Sequence, residues 1–219
     1  MTGYKEWADL EVLTAEELQG FIQTQVIPRG YATVAAADTA FTDASNGAVC
    51  DVLGLGLMRH SGGVWVPMTG RAILQARQIL PQSLDADTDT AITLTSQDFN
   101  LTPGEGHSIT VNPSRFTAKF PGWYLFSGSV GYSINATGNR HAFFCKNGLE
   151  VDGSAGTTAA ASGGTTKVVA QTSLVSLNAN DYVELYGRAQ GVGLDTSSGT
   201  GHFQSMMTVV YAGTNAAGG

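Results

Sequence analysis

Alternating apolar and polar positions predict a long β-strand in the middle of the chain. Across residues 119–134, large side chains alternate with Ser and Gly, so the strand has one thick face and one thin face. The thick face comprises Tyr124, Phe126, Val130, Tyr132 and Ile134, and the thin face comprises Leu125, Ser127, Ser129, Gly131 and Ser133. The thick face is typical of a core between two sheets. The thin face is too small to fill a core and carries no charge, which favours close contact with another surface.

Similar runs recur from about residue 71 onward and predict a mainly β fold. They cover residues 76–84, 90–96, 107–111, 115–120, 140–151, 166–177, 181–189 and 201–213. Eight or more strands separated by turns indicate a sandwich or jelly roll over residues 71–213. Small residues in 153–166 predict a mobile loop, and residues 214–219 are expected to form a flexible tail.

The N-terminal region has a different pattern and predicts a separate module over residues 1–70. Thr14 and Glu17 form a capping box, and Pro28 ends the predicted helix. The apolar stripe of this helix consists of Leu18, Phe21, Ile22 and Val26. Residues 30–70 resemble short strands with Gly turns, including a hairpin around Gly62 and Gly63 and a buried anchor at Trp65. Because one helix cannot bury its own stripe, we expect it to pack on a neighbouring copy or another protein.

Composition and charge exclude several classes of function. Only 13% of the 219 residues are charged, the net charge is -7, and no basic cluster occurs, so nucleic acid is not an expected partner. No apolar run reaches the length of a membrane span, so membrane insertion is not expected. The N-terminus lacks the pattern of a signal peptide, which predicts synthesis in the cytoplasm.

Candidate chemistry is sparse. Cys50 and Cys145 lack metal-ligand spacing, and we expect two buried free thiols rather than a disulfide. Asp85, Asp87 and Asp89 resemble the start of a calcium loop, but the glycine and the final glutamate of an EF-hand are missing, which leaves only a looser cation site open. No catalytic motif or recognisable acid pair occurs, so we expect no enzyme activity and no cofactor.

Four segments resemble, in order, the strand C, D, F and H signatures of the tumour necrosis factor (TNF) and complement globular-head jelly roll. They are residues 116–134, 138–148, 176–191 and 202–211. The most specific pieces are Pro121-Gly122-x-Tyr124, Asn147-Gly148, Asp181-Tyr182-Val183 and the strand around Phe203, while Asn180 replaces the usual Gly before Asp. The resemblance covers about residues 71–213 and implies a homotrimer.

The family fold also implies which residues fill the core and which form the trimer interface. The implied core is Tyr124, Phe126, Val130, Val183, Leu185, Phe203 and Val209, and the implied interface is Leu125, Ser127, Ser129, Tyr182, Tyr186, His202 and Gln204. Three copies of His202 near the axis would form a packed layer, a proton-sensitive joint or a metal site, with Glu184 as the only candidate carboxylate.

Trp7 and the segment EVLTAEELQGFI resemble the opening of bacteriophage minor tail proteins and fibres. This resemblance implies a virion protein that docks on other virion proteins through residues 1–70, with Trp7, Leu18, Phe21, Ile22 and Val26 as the docking residues. The jelly roll would present its loops to a host-surface glycan or protein. Two alternatives remain open: a capsid decoration or head-fibre protein that stabilises the shell, and a carbohydrate-binding or carbohydrate-active module.

Overall fold

The computed structural model describes residues 30–41, 48–53, 56–61, 63–68, 70–102, 106–197 and 201–213. The chain divides into two compact units, Met1–Thr69 and Gly70–Gly219. The predicted N-terminal helix, with Trp7, Leu18, Phe21, Ile22 and Val26, lies outside the described residues, as does the predicted tail 214–219.

The first unit contains a four-stranded sheet and a short helix. Its elements are β1 (Gly30–Tyr31), α1 (Val34–Ala40), β2 (Val49–Val52), β3 (Gly56–Ser61) and β4 (Val64–Pro67), with the strands in the order β1-β2-β3-β4. Strands β3 and β4 form the predicted hairpin. Short strands were expected across residues 30–70, and this is wrong for α1. The Thr33 side chain caps α1 by accepting a hydrogen bond from Ala36 N at 3.1 Å, and the alanine run favours the helix.

A small aromatic core holds the first unit together. Trp65 is only 3% exposed, as its predicted role as an anchor requires. Its ring lies 5.3 Å from the Phe41 ring and 5.3 Å from the His60 ring, measured between centroids, and both contacts are edge-to-face. Cys50 and Met58 are fully buried in the same cluster. The helix is therefore fixed to the sheet through Phe41, the residue at its C-terminal end.

The second unit is a jelly-roll β-sandwich, which confirms the predicted fold class. Its strands are β5 (Arg71–Arg77), β6 (Ser83–Leu84), β7 (Thr90–Ala91), β8 (Ser96–Asn100), β9 (Arg115–Thr117), β10 (Gly122–Tyr132), β11 (Asn139–Lys146), β12 (Leu149–Glu150), β13 (Gly156–Ala159), β14 (Thr166–Leu177), β15 (Tyr182–Ala189), β16 (Leu194–Asp195) and β17 (Met206–Gly213). The first sheet has the order β14-β10-β17-β5-β8. The second has the order β12-β11-β15-β7, with β13 also on β11 and β9 also on β15, and β6 pairs with β16.

The core between the two sheets is rich in aromatic rings. Six of the seven implied core residues are fully buried: Tyr124, Phe126, Val130, Val183, Leu185 and Val209. Phe203 is the exception, since it is 40% exposed and β17 begins only at Met206. Ile134 is also misassigned, because β10 ends at Tyr132 and the Ile134 side chain is 64% exposed.

Three other local predictions are wrong. The first strand of the sandwich is β5, whereas most of residues 76–84 lie outside strands and expose Ile79 and Leu80. Residues 107–111 form no strand, and Val111 is 68% exposed. The segment 153–166, expected to be a mobile loop, contains β13 paired with β11. Gly156 at the start of β13 lies so close to β14 that an added Cβ would be 2.0 Å from Val169 O, so glycine is required there.

The Asn147-Gly148 and Asp181-Tyr182-Val183 motifs meet in one hydrogen-bonded network. Asn147 Nδ2 donates to Asp181 Oδ1 at 2.8 Å, and Asn147 Oδ1 accepts from Tyr182 N at 2.9 Å. Burial alone would raise the pKa of Asp181, but hydrogen bonds from Asn178 and Asn147 and the nearby Lys146 ammonium group together lower it. Asn180 has a φ of 72°, a left-handed conformation that Asn tolerates, so its replacement of Gly leaves the turn intact.

His107 is a buried neutral imidazole. Its side chain is 2% exposed, and burial lowers its pKa below the usual value. Nε2 lies 3.0 Å from Pro113 O and must carry the proton, because a carbonyl oxygen only accepts. Nδ1 then accepts from Gln97 Nε2 at 2.7 Å, and the same Gln97 nitrogen donates to His107 O at 3.0 Å. A second proton on the ring would oppose the Gln97 donor.

We expect the buried, neutral His107 to make the protein less stable in mild acid. The folded-state pKa of His107 is lower than the unfolded value of about 6.5, so below that pH the unfolded chain binds more protons and the free energy of unfolding decreases. His107→Gln should flatten the decrease in Tm between about pH 7 and pH 5. The exposed His202→Gln variant is the control and should keep the wild-type slope. An unchanged slope in His107→Gln would assign the effect to other groups.

Candidate functional site

The outer surface of the first sheet carries a row of apolar side chains across four strands. Cross-strand pairing aligns Leu174 of β14 with Leu125 of β10, Leu125 with Val210 of β17, and Val210 with Ala72 of β5. Leu174 is 55% exposed, and Leu125 and Val210 are half-buried. On the same surface, Trp123 of β10 is 41% exposed and Val169 of β14 is 58% exposed. We call this surface the apolar face: Ala72, Trp123, Leu125, Ser127, Val169, Leu174, Thr208 and Val210.

Among the described residues of this sheet, charged side chains lie at the margins of the apolar face. Ser127 pairs with Thr208, so the centre of the face is small and uncharged. On the β5 side, Arg77 and Gln75 both bind Asp98 of β8, the latter at 2.8 Å. A row of exposed apolar side chains of this kind is a candidate for contact with another surface.

The other end of the thin face is covered by the same chain. Ser129 is 5% exposed, and a Cβ added at Gly131 would lie 1.6 Å from Phe203 O. Gly131 N donates to Ser205 Oγ at 3.1 Å, which fixes the segment that precedes β17 against the strand. The thin face therefore serves two purposes: Gly131 admits a backbone segment of its own chain, and Leu125 and Ser127 remain accessible.

The seven implied interface residues do not share one surface, so that part of the prediction is wrong. Leu125 and Ser127 lie on the apolar face, but β15 places Tyr182 and Tyr186 on the second sheet. There the Arg115 guanidinium lies 4.0 Å from the centroid of the Tyr182 ring, and Tyr186 stacks on Phe143 at 5.6 Å.

His202 and Gln204 precede β17 rather than belonging to it. His202 lies exposed in a turn, where its carbonyl oxygen accepts from Lys167 Nζ at 2.9 Å. Gln204 is 8% exposed and donates from Nε2 to Gln78 O at 2.9 Å. Glu184, the carboxylate considered for His202, instead accepts from Ser114 Oγ at 2.6 Å and from Arg115 Nε at 3.2 Å.

The aspartates of the calcium-like segment are paired with an arginine. Arg188 lies 3.7 Å from Asp87 and 3.6 Å from Asp89, and Asp87 also accepts from Gly191 N at 3.2 Å. The guanidinium occupies the position in which a cation would neutralise these two carboxylates. Within the part of the chain that the structure describes, no group of three His, Cys, Asp or Glu side chains is arranged to hold a metal.

Both cysteines are free and buried, as predicted. Burial, with Asp51 and Asp38 nearby, raises the pKa of Cys50 to about 11. Burial, with Glu150, Asp89 and Glu184, raises the pKa of Cys145 to about 12. Since the thiolate is the reactive form, neither group is prepared for nucleophilic chemistry at neutral pH.

Several residues of the apolar face were missed by the sequence analysis. Trp123, Val169, Leu174 and Val210 were not named as interface residues, although each lies in a predicted strand. Alternation predicted the face of β10 correctly, but only the register between strands reveals which side chains of β14 and β17 lie beside Leu125.

Among the described residues, no helix is long and apolar enough to span a membrane.

Comparison with known proteins gives structural neighbours but no sequence family. No protein-family model matches the chain, and no curated protein does either. Murine APRIL is 12% identical with a TM-score of 0.49, and the match covers 64% of this chain and 98% of that one. The globular domain of zebrafish complement 1qA is 12% identical with a TM-score of 0.46, covering 65% and 96%. The PRD1 vertex protein P5, from a phage, is 14% identical with a TM-score of 0.43, covering 66% and 98%.

Proposed function

We propose that this protein is a trimeric, non-enzymatic structural protein of a bacteriophage particle. The apolar face carries the trimer proposal. Its central strands present Leu125, Leu174 and Val210 outward in one cross-strand row, and no charged side chain lies among the residues of the face. Three copies of one chain around an axis bury such a face in a closed assembly that cannot extend into fibres.

The small residues within the apolar face also support this packing. Ser127 and Thr208 lie side by side at its centre, so a neighbouring sheet can approach closely between the larger Trp123 and Val169 side chains. A face exposed only to water has no need of a leucine and valine row. Burial of the exposed parts of Trp123, Leu174 and Val169 contributes about 25 cal/mol for each Å² removed from water, and the loss of rigid-body freedom on association offsets part of this gain.

The virion role is supported by the resemblance of the N-terminal segment to phage tail proteins. In this proposal, residues 1–70 attach the trimer to other virion proteins, and the second unit presents its loops to the host surface. A tail appendage or fibre tip is the first assignment, and a capsid decoration protein is the alternative. The protein binds neither nucleic acid nor the membrane interior in either role.

Light scattering of the intact chain tests the assembly. We expect a mass three times the 22.8 kDa of one chain at micromolar concentration. A stable monomer would contradict the trimer. Electron microscopy of purified particles, with an antibody against the second unit, tests the virion role: labelled tails support the appendage, labelled shells support the decoration protein, and unlabelled particles overturn both.

A further inference from the structure

A cavity of about 320 Å³ lies on the outer surface of the second sheet, which is not the sheet that carries the apolar face. Its lining includes Asp89, His141, Phe143, Glu150, Arg188 and Gln190. This volume is at the lower end of the range for small-ligand sites in proteins. None of the lining residues is used by the proposed trimer contact.

Strand register explains why these residues meet. His141 pairs with Arg188 and Phe143 pairs with Tyr186 across β11 and β15, and alternation turns all four side chains to the same side. The Phe143 and Tyr186 rings stack at 5.6 Å with an interplanar angle of 27°. Glu150 reaches the same surface because β12 pairs with the end of β11 at Cys145. The cavity therefore has one aromatic lining residue, Phe143, which is 6% exposed and is surrounded by polar groups, while Tyr186 supports its ring by stacking.

The polar groups are held in place by residues beside the cavity. His141 Nδ1 and Thr157 Oγ1 are 2.9 Å apart, and Gln190 Oε1 accepts from Asn139 Nδ2 at 3.0 Å. Arg188 is fixed by its carboxylate partners, with Asp89 Oδ1 at 3.6 Å. The carboxylate of Glu150, in contrast, binds no described side chain and is exposed. Donors and acceptors are therefore both available to a ligand, and they are partly prearranged.

The charges of the cavity exclude most charged ligands. Two carboxylates and one guanidinium leave a net negative charge, which disfavours an anion. The Arg188 guanidinium lies between Asp87 and Asp89 and repels a metal ion or an ammonium group. An uncharged ligand with many hydroxyl groups and a small apolar surface fits the remaining requirements. Its hydroxyls would bind the carboxylates, Arg188 and Gln190, and its apolar surface would contact the exposed part of Phe143.

We propose that this cavity binds a pyranose ring of a neutral saccharide. This proposal rests on the proposed function in one respect: the saccharide is taken to belong to the host surface, to which the second unit presents its loops. Sugar binding itself requires only the second unit and is independent of the trimer.

Saturation-transfer NMR on the full chain tests the proposal with methyl glycosides of glucose, galactose, mannose and N-acetylglucosamine. We expect transfer to the ring protons of at least one glycoside, with millimolar affinity. Glu150→Gln should weaken that binding about tenfold, because a charged acceptor is replaced by a neutral one at an exposed position. Asp152→Asn, at an exposed position two residues away, is the matched control and should bind as the wild type does.

Three results would overturn the proposal. They are an absence of transfer to all four glycosides, equal affinity of wild type and Glu150→Gln, and binding of N-acetyl-lysine amide in place of the glycosides, which would assign the cavity to a cation. Light scattering on the same samples separates this outcome from that of the proposed function. A trimer that binds no glycoside contradicts only the sugar site, and a monomer that binds one contradicts only the trimer.

Discussion

Ser127→Arg is expected to convert the proposed trimer into monomers at micromolar concentration. Ser127 is exposed on the apolar face of a single chain, so the arginine can extend into water without disturbing the monomer fold. In the proposed trimer the same position would lie between neighbouring sheets, where three unpaired guanidinium groups would lose their hydration. An unpaired buried charge costs roughly 3–5 kcal/mol, which corresponds to a loss of affinity of more than a hundredfold for each copy. Light scattering and thermal unfolding on the same sample measure assembly and fold separately.

Ser162→Arg is the matched control for this experiment. Ser162 is exposed in the loop between β13 and β14, and the substitution adds the same charge away from the apolar face. We expect Ser162→Arg to remain trimeric with a wild-type Tm. A trimer that persists in Ser127→Arg would place the contact surface elsewhere on the molecule, and dissociation of both variants would assign the effect to net charge.

The sandwich could be predicted from the sequence because alternation is regular in its longest strands. β10 keeps Tyr124, Phe126 and Val130 inside, and 166–177 was predicted with the bounds that β14 has. The prediction failed where polar contacts decide the conformation. Residues 107–111 look like a strand, but Ser108 Oγ accepts from Thr110 N and Val111 N, at 3.3 and 3.1 Å, and forms a turn.

The candidate surfaces could be predicted only in part, because they depend on register. Pairing between β10 and β14 shifts after Phe126, so Val168 is buried before the irregularity, whereas Leu174 beyond it points outward. One extra residue reverses which positions of a strand face the core, and no local pattern identifies it. The cavity on the second sheet shows this dependence more strongly, since His141 and Arg188 are far apart in sequence and meet only through the pairing of β11 with β15.

Gly131→Ala is expected to lower the stability of the second unit, whereas the same methyl group added at an open surface position would not. The new Cβ would be 1.6 Å from Phe203 O and 2.7 Å from Phe203 C, so the backbone segment before β17 must move away. That movement strains the hydrogen bond from Gly131 N to Ser205 Oγ, which is 3.1 Å long. Overpacking of this kind costs about 3 kcal/mol, which corresponds to a decrease in Tm of roughly 6–12 °C for a chain of this size.

Gly163→Ala gives the matched comparison, because the same methyl group is added where nothing lies within 4 Å. Its Tm should equal that of the wild type or exceed it slightly, since alanine reduces the entropy of the unfolded chain. If Gly131→Ala unfolds within about 1 °C of Gly163→Ala, a difference of well under 1 kcal/mol, the segment before β17 is not fixed on the strand. A large difference between the two variants would show that glycine is required at position 131 because the chain's own backbone lies against it.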